Sequence, residues 1–107
     1  MFTEQRKSVR KILKAKAVLT MEGDSAPSAC RTTDIGANGV SLNVPKPIKS
    51  GDTGRVQFDL LVEGKLVKIN ALSRVQYCIL SQGEFKVGLE FLNLELASMT
   101  ALARFLR

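Results

Sequence analysis

Two arginines near the start of the chain and a carboxylate in a glycine-rich stretch are the residues best suited to binding chemistry. Arg6 and Arg10 lie four residues apart, and the stretch from Thr33 to Val40 holds Asp34, Gly36 and Gly39. The planar guanidinium of arginine pairs with two acceptors at once, such as guanine O6 and N7 or two phosphate oxygens. A carboxylate accepts from the N1 and N2 hydrogens of guanine. Glycine lets a flat ligand or a phosphate approach the backbone and permits positive φ.

Neither motif is specific by itself. Arginine pairs of this spacing occur in many basic tails, and an Asp-x-Gly-x-x-Gly stretch also fits an ordinary hairpin turn. Residues 1–16 carry six basic residues against Glu4, which places most of the net charge of +6 in this segment. A mobile basic arm would attract the phosphates of a nucleotide, a nucleic acid or an anionic membrane. The alternative interpretation is a solvated tail.

Most of the chain alternates apolar and polar residues, which is typical of half-buried strands. The alternation predicts six strands at residues 13–22, 28–33, 40–44, 55–62, 66–80 and 85–91. Turn residues separate them, including Glu63-Gly64 and the stretch from Ser81 to Glu84. In the long fifth strand, Tyr77 and Ile79 are assigned to the apolar side, as one strongly bent strand or two segments would place them.

The periodicity changes near the C-terminus. Asn93 is expected to cap an amphipathic helix that runs to the end of the chain. Its apolar face comprises Leu94, Ala97, Ala101, Leu102 and Phe105. The predicted fold class is therefore mainly β, a six-stranded antiparallel, partly closed barrel with a C-terminal α-helix. We expect residues 1–12 to form a flexible basic ligand-binding arm and residues 13–107 to form one barrel domain.

The composition argues against an enzyme and against a metal site. The chain has no histidine, which removes the usual general base, and its two cysteines, Cys30 and Cys78, cannot form a Cys/His zinc cluster. We expect two free thiols, no cofactor and no catalytic residue. No apolar run approaches the roughly 20 residues of a membrane span, and no export signal is visible, so a cytoplasmic location is expected.

The order and setting of the two motifs resemble the PilZ domain family over nearly the whole chain. The family pattern is Arg-x-x-x-Arg, a strand pair, then Asp/Asn-x-Ser-x-x-Gly. Arg6 and Arg10 match the first part, and Asp34 and Gly39 match the ends of the second. The run from Val87 to Phe91 is similar to the family's closing Gly-hydrophobic-x-Phe strand, and the run from Ser73 to Tyr77 is similar to its central strand. Gly36 stands where the family has serine.

This resemblance implies a bacterial receptor or adaptor that binds the second messenger cyclic di-GMP. The ligand-binding residues would be Arg6, Arg10, Asp34, Gly36 and Gly39, with the arm folding over the ligand. Binding would change the surface or arm conformation and regulate an unidentified protein partner in motility, biofilm formation or a similar output. We expect a monomer or weak dimer that binds no nucleic acid polymer.

Two other functions fit parts of the sequence. A PilZ-like adaptor for pilus or flagellar control that no longer binds cyclic di-GMP is favoured by Gly36 and opposed by the intact arginine pair. A barrel that binds single-stranded nucleic acid fits the charge. It would need exposed aromatic residues, whereas every aromatic residue except Phe2 is assigned to the core.

Overall fold

The computed structural model describes residues 9–24 and 26–107. This part of the chain is mainly β-structure. The elements are β1 (Arg10–Ile12), β2 (Lys16–Met21), β3 (Ser28–Gly36), β4 (Gly39–Val44), β5 (Thr53–Val62), β6 (Lys65–Ser81), β7 (Glu84–Leu94) and α1 (Leu96–Phe105).

Six antiparallel strands close into a barrel in the order β3, β2, β5, β6, β7 and β4, and β4 pairs back onto β3. The predicted fold class is confirmed. The additional strand β1 pairs with the end of β3, where Arg10 is opposite Gly36 and Ile12 is opposite Asp34. The last residues of the predicted arm are therefore held beside the stretch that contains Asp34.

One edge of β3 pairs with two successive strands, β2 along its first half and β1 along its second. Thr32 lies at the break between them and is buried. Its hydroxyl accepts a hydrogen bond from the Ala15 amide at 2.9 Å and donates one to the Leu13 carbonyl at 2.5 Å. These bonds pair the Ala15 amide and the Leu13 carbonyl, which lie where strand pairing along this edge of β3 is interrupted. Thr32 thereby stabilises the bend that places Arg10 beside β3.

The core follows from the alternation in the sequence. Val40, Leu42 and Val44 point into the barrel from β4, and Val56 and Leu60 do so from β5. Two predicted hairpin turns join the long strands, at Glu63-Gly64 and at Gln82-Gly83. All four turn residues have positive φ. Turns of this kind match the right-handed twist of paired strands, which explains the glycine at the second position of each.

The helix begins later than predicted. Asn93 is still part of β7, opposite Leu72 of β6, and α1 begins at Leu96 after Glu95, whose side chain makes no capping hydrogen bond. The prediction that Asn93 caps the helix is wrong because strand pairing continues to Leu94 and keeps the backbone extended. Ser98, Ala101 and Leu102 form the buried face of α1, which packs on β5 and β6.

Both cysteines are free, as expected. Cys30 is buried in β3, and loss of hydration raises the pKa of its thiol to about 11. Within residues 9–24 and 26–107, no helix is long and apolar enough to span a membrane. The same residues contain no cluster of three or more potential metal ligands.

Candidate functional site

A row of four residues crosses four neighbouring strands on the outer wall of the barrel. Asp34 of β3 is opposite Ser41 of β4, Ser41 is opposite Gly88 of β7, and Gly88 is opposite Tyr77 of β6. Residues directly opposite each other in a sheet project from the same face. We call this set the polar row: Asp34, Ser41, Gly88 and Tyr77.

Two irregularities in strand pairing create the polar row. The β3–β4 register shifts between Thr32 and Asp34, and the β6–β7 register shifts between Val75 and Tyr77. A bulge inserts one extra residue and changes which side chains face outward beyond it. Asp34 and Tyr77 consequently project onto the outer wall, while Thr32 and Val75 remain buried.

The assignment of Tyr77 and Ile79 to the apolar side of β6 is therefore wrong. Tyr77 is 37% exposed and Ile79 is 53% exposed. The bulge after Val75 breaks the alternation on which the assignment depended. The statement that every aromatic residue except Phe2 belongs to the core fails with it, since the ring of Tyr77 is available on the surface.

Arg10 reaches the polar row from β1. Its Nε and Nη2 donate to Asp34 Oδ1 at 2.9 and 2.6 Å, and Nη2 lies 3.5 Å from Ser41 Oγ. The Tyr77 hydroxyl lies 3.3 Å from Ser41 Oγ. Arg10, Asp34, Ser41 and Tyr77 thus form one connected polar network. The side chains of Arg10 and Asp34 are 44% and 28% exposed, so water weakens their ion pair.

Gly36 provides room for the side chain of Arg10. A Cβ atom at this position would lie 2.9 Å from Arg10 Nη1 and 3.2 Å from both Arg10 Cγ and the Val9 carbonyl oxygen. Serine, which the family motif has here, would require Arg10 to shift. Because Arg10 is the flexible partner, Gly36 favours the conformation in which its guanidinium crosses β3 and contacts Asp34.

Gly39 has a role in strand packing. A Cβ atom there would lie 2.1 Å from the Leu89 carbonyl oxygen, a contact that backbone atoms cannot relieve without disrupting the β4–β7 pairing. Positive φ is found in the described residues at Gly23, Gly51, Gly64 and Gly83 among glycines. Gly36 and Gly39 are not among these glycines, so neither uses the positive φ that glycine permits, and both lie in strand pairing.

Gly88 positions Tyr77. A Cβ atom at Gly88 would lie 2.2 Å from Cε2 and 2.5 Å from Cζ of Tyr77, so the aromatic ring lies across the space that a side chain would fill. This contact brings the Tyr77 hydroxyl to Ser41. An outward-facing glycine inside an alternating strand signals that another group approaches closely, but the β6–β7 register decides that this group is Tyr77.

The polar row forms the floor of a groove of about 610 Å³. Lys86 and Arg10 contribute positive charge to its lining, and Asp34 and Glu90 contribute negative charge. Asn38 lies at its edge and accepts a hydrogen bond from the Phe91 amide through its backbone carbonyl. The structure thus brings together Arg10, Asp34, Gly36 and Gly39 of the predicted site. Arg6, the remaining predicted residue, lies outside the described residues.

The fold is thus a small antiparallel β-barrel with a polar groove on its outer wall. The chain belongs to the PilZ domain family, whose profile matches residues 4–107. PilZ domains are known as non-enzymatic receptor domains, and many are receptors for cyclic di-GMP. Among curated proteins, no sequence matches this chain.

Several solved structures share the fold at low sequence identity. The Bacillus subtilis inhibitor of motility (MotI/DgrA) superimposes with a TM-score of 0.79 at 19% identity, over 91% of this chain and 47% of that one. This chain therefore spans about half the length of that protein. The PilZ domain of YcgR from Escherichia coli, solved with cyclic di-GMP, gives 0.70 at 12% identity, over 96% of this chain and 89% of that one. PlzA from Borreliella burgdorferi, also in complex with cyclic di-GMP, gives 0.58 at 16% identity, over 100% of this chain and 38% of that one.

Proposed function

We propose that this chain is a cytoplasmic cyclic di-GMP receptor that binds its ligand in the groove above the polar row. The observation that carries the proposal is the contact of Arg10 with Asp34 beside an exposed tyrosine ring. Family membership supports it, because many PilZ domains are receptors for this ligand. Arg6, Arg10, Asp34, Gly36 and Gly39 are the proposed ligand-binding residues, and we propose Ser41 and Tyr77 as two more because they lie in the same polar network.

Each group has a chemical role in this proposal. The Asp34 carboxylate would accept from guanine N1 and N2, and Arg10 would donate to guanine O6 and N7 or to a phosphate. Tyr77 would provide a face on which a guanine base stacks, since aromatic rings stack on any base. Lys86 would attract the phosphates. Gly36 would leave room for Arg10, and Gly39 would keep β4 close to β7.

Arg10 contacts the same carboxylate that the proposal assigns to guanine. Both of its hydrogen bonds go to Oδ1 of Asp34. Binding would therefore require Arg10 to leave Asp34 or to share it with the base. The cost is small, because exposed ion pairs contribute only about 0.2 to 1 kcal/mol. The side chain of Arg10 is accordingly expected to move from Asp34 to the ligand, while the part of the arm that precedes β1 folds over it.

Isothermal titration calorimetry with cyclic di-GMP tests the proposal. Asp34→Ala and Arg10→Ala are each expected to weaken binding by about tenfold or more, because a hydrogen bond to a charged group contributes about 1.5 to 3 kcal/mol. Asp59→Ala and Arg55→Ala are matched controls. Asp59 forms an exposed ion pair with Lys68, and Arg55 donates to Asn70, both outside the groove. Unchanged affinity in the Asp34 and Arg10 variants would refute the site.

The alternative is a PilZ adaptor that does not bind the ligand, and one observation favours it. Gly36 replaces the motif serine and lets Arg10 lie on Asp34, so the chain's own arginine satisfies the carboxylate. No heat of binding for the wild-type protein with cyclic di-GMP would support this alternative. In either case we propose that the output is regulation of a protein partner, as in motility, biofilm formation or pilus control.

A further inference from the structure

A second row on the outer wall carries three positive charges. Lys16 of β2 is opposite Arg31 of β3, Arg31 is opposite Asn43 of β4, and Asn43 is opposite Lys86 of β7. Their neighbours Ala17, Cys30, Leu42 and Val87 are buried, which places the four side chains on the outer face. We call this set the basic row: Lys16, Arg31, Asn43 and Lys86.

The positive charges of the basic row are unpaired within the described residues. Lys16, Arg31 and Lys86 form none of the ion pairs found there within 4.0 Å. The nearby carboxylate of Asp59 is 3.6 Å from Lys68 instead. Like charges directly opposite each other on neighbouring strands destabilise a sheet. Because Lys16 and Arg31 lie directly opposite each other, their repulsion lowers the stability of the fold. A bound anion would offset this repulsion.

A groove of about 680 Å³ lies along the same part of the wall. Lys16, Arg31 and Asn43 line it together with the apolar side chains of Val18 and Ala29. Glu84 also lines it and is not within 4.0 Å of any cation in the described residues. Asp59 and Lys68 line the groove as an ion pair. The groove therefore combines an apolar floor with two cations that are unpaired within the described residues, Lys16 and Arg31. This combination suits a ligand that carries both carboxylates and apolar groups.

We propose that the basic row and this groove form a docking surface for an acidic segment of a partner protein. Neighbouring strands lie about 4.8 Å apart, so the row from Lys16 to Lys86 spans about 14 Å, the length of four or five extended residues. Charge complementarity favours carboxylates along that length. Nucleic acid is less suited to this surface, because Phe58, the aromatic residue that lines the groove, is only 3% exposed and presents no face on which a base could stack.

This surface differs from the proposed ligand site. The polar row lies in the groove that contains Asp34 and Tyr77, whereas Lys16 and Arg31 line the second groove. Only Lys86 of the basic row also lines the first groove. The docking proposal therefore holds whether or not the chain binds cyclic di-GMP, and the two proposals can fail separately.

Fluorescence anisotropy with a labelled peptide of alternating glutamate and leucine residues tests the proposal. The double variant Lys16→Glu with Arg31→Glu is expected to weaken peptide binding by about tenfold or more at constant salt. The control variant, Lys49→Glu with Lys65→Glu, changes the net charge equally at exposed positions outside both rows and should weaken binding less than about twofold. Equal weakening in the two variants would overturn the proposal, because attraction by net charge alone would explain it. Undetectable binding to the wild-type protein would also overturn it.

Three further measurements complete the test. If the double variant does not fold, Arg31→Gln removes a single charge and should still weaken peptide binding. Lys16→Glu alone should raise Tm, because it replaces a repulsive pair of cations with an attractive pair of opposite charges. An unchanged or lower Tm would contradict the argument that charge repulsion in the basic row destabilises the fold. A thymidine octamer that binds more tightly than the peptide, and loses that affinity in the double variant, would make nucleic acid the occupant and overturn the acidic segment.

Discussion

The contact between Gly88 and Tyr77 provides a sharp test of how the site is built. In Gly88→Ala the new Cβ atom would lie 2.2 Å from Tyr77 Cε2. Two carbon atoms normally approach no closer than about 3.5 Å, so the ring must move by more than about 1 Å. The backbone of β7 gains from the change, since glycine inside a strand is about 0.5 to 1 kcal/mol less favourable than alanine. We therefore expect the barrel to remain folded while Tyr77 leaves its position.

The expected effect on cyclic di-GMP binding follows from the proposed role of the ring. Stacking of a base on an aromatic side chain contributes about 1 to 3 kcal/mol, so Gly88→Ala should weaken binding by roughly five- to 160-fold. Calorimetry measures this change. Tyr77→Phe is the milder control, because it keeps the ring and removes only the hydroxyl that contacts Ser41.

A double-mutant cycle identifies the cause. If Gly88→Ala acts by displacing the ring, then it should not weaken cyclic di-GMP binding any further in a Tyr77→Ala background. Wild-type affinity in Gly88→Ala would refute the argument that Tyr77 must lie across Gly88 for binding. If Gly88→Ala weakens binding by the same factor in the Tyr77→Ala background, then the backbone of Gly88 itself contributes to binding.

Three further predictions concern other parts of the barrel. Gly36→Ser should tighten cyclic di-GMP binding by roughly two- to twelve-fold, because a hydroxyl adds a hydrogen bond and its Cβ moves Arg10 off the carboxylate; weaker binding by calorimetry would contradict this. Thr32→Val should lower the free energy of unfolding by about 1 to 3 kcal/mol in urea titrations, because two backbone groups lose their partner; a loss below about 0.5 kcal/mol would show that water replaces the hydroxyl. The raised pKa of Cys30 means that the unfolded chain releases its proton first, so stability should fall between about pH 9 and pH 11. Cys30→Ala should lessen that fall in urea titrations at successive pH values, and an unchanged fall would assign it to other groups.

The sequence determined the six strands of the barrel, the turns and the main candidates for binding, but not the additional strand β1. Val40, Leu42 and Val44 alternate with polar residues because one face of a strand is buried, so their burial is a local pattern that can be read directly. The turn at Glu63-Gly64 was also predictable, because glycine adopts the positive φ that Gly64 has without steric cost. Arg10 and Asp34 were selected by their chemistry and by their order along the chain.

Only the tertiary structure decided how these residues combine. The bulge after Val75 is a property of how β6 pairs with β7, and it turns Tyr77 onto the surface against the alternation of its own strand. The start of α1 was likewise set by pairing, because β6 holds Asn93 in an extended conformation despite its suitability as a cap. The sequence of a single strand does not predict these outcomes, because they depend on its contacts with the neighbouring strands.

The two rows on the outer wall illustrate the same distinction. Asp34 and Ser41 are far along the chain from Tyr77 and Gly88, and strand register makes the two pairs neighbours. The chemical groups that the proposed site requires could be identified in the sequence, because the chemistry of a side chain does not depend on the fold. Their assembly into one groove depends on register and bulges, which arise only when six strands pair around a common core.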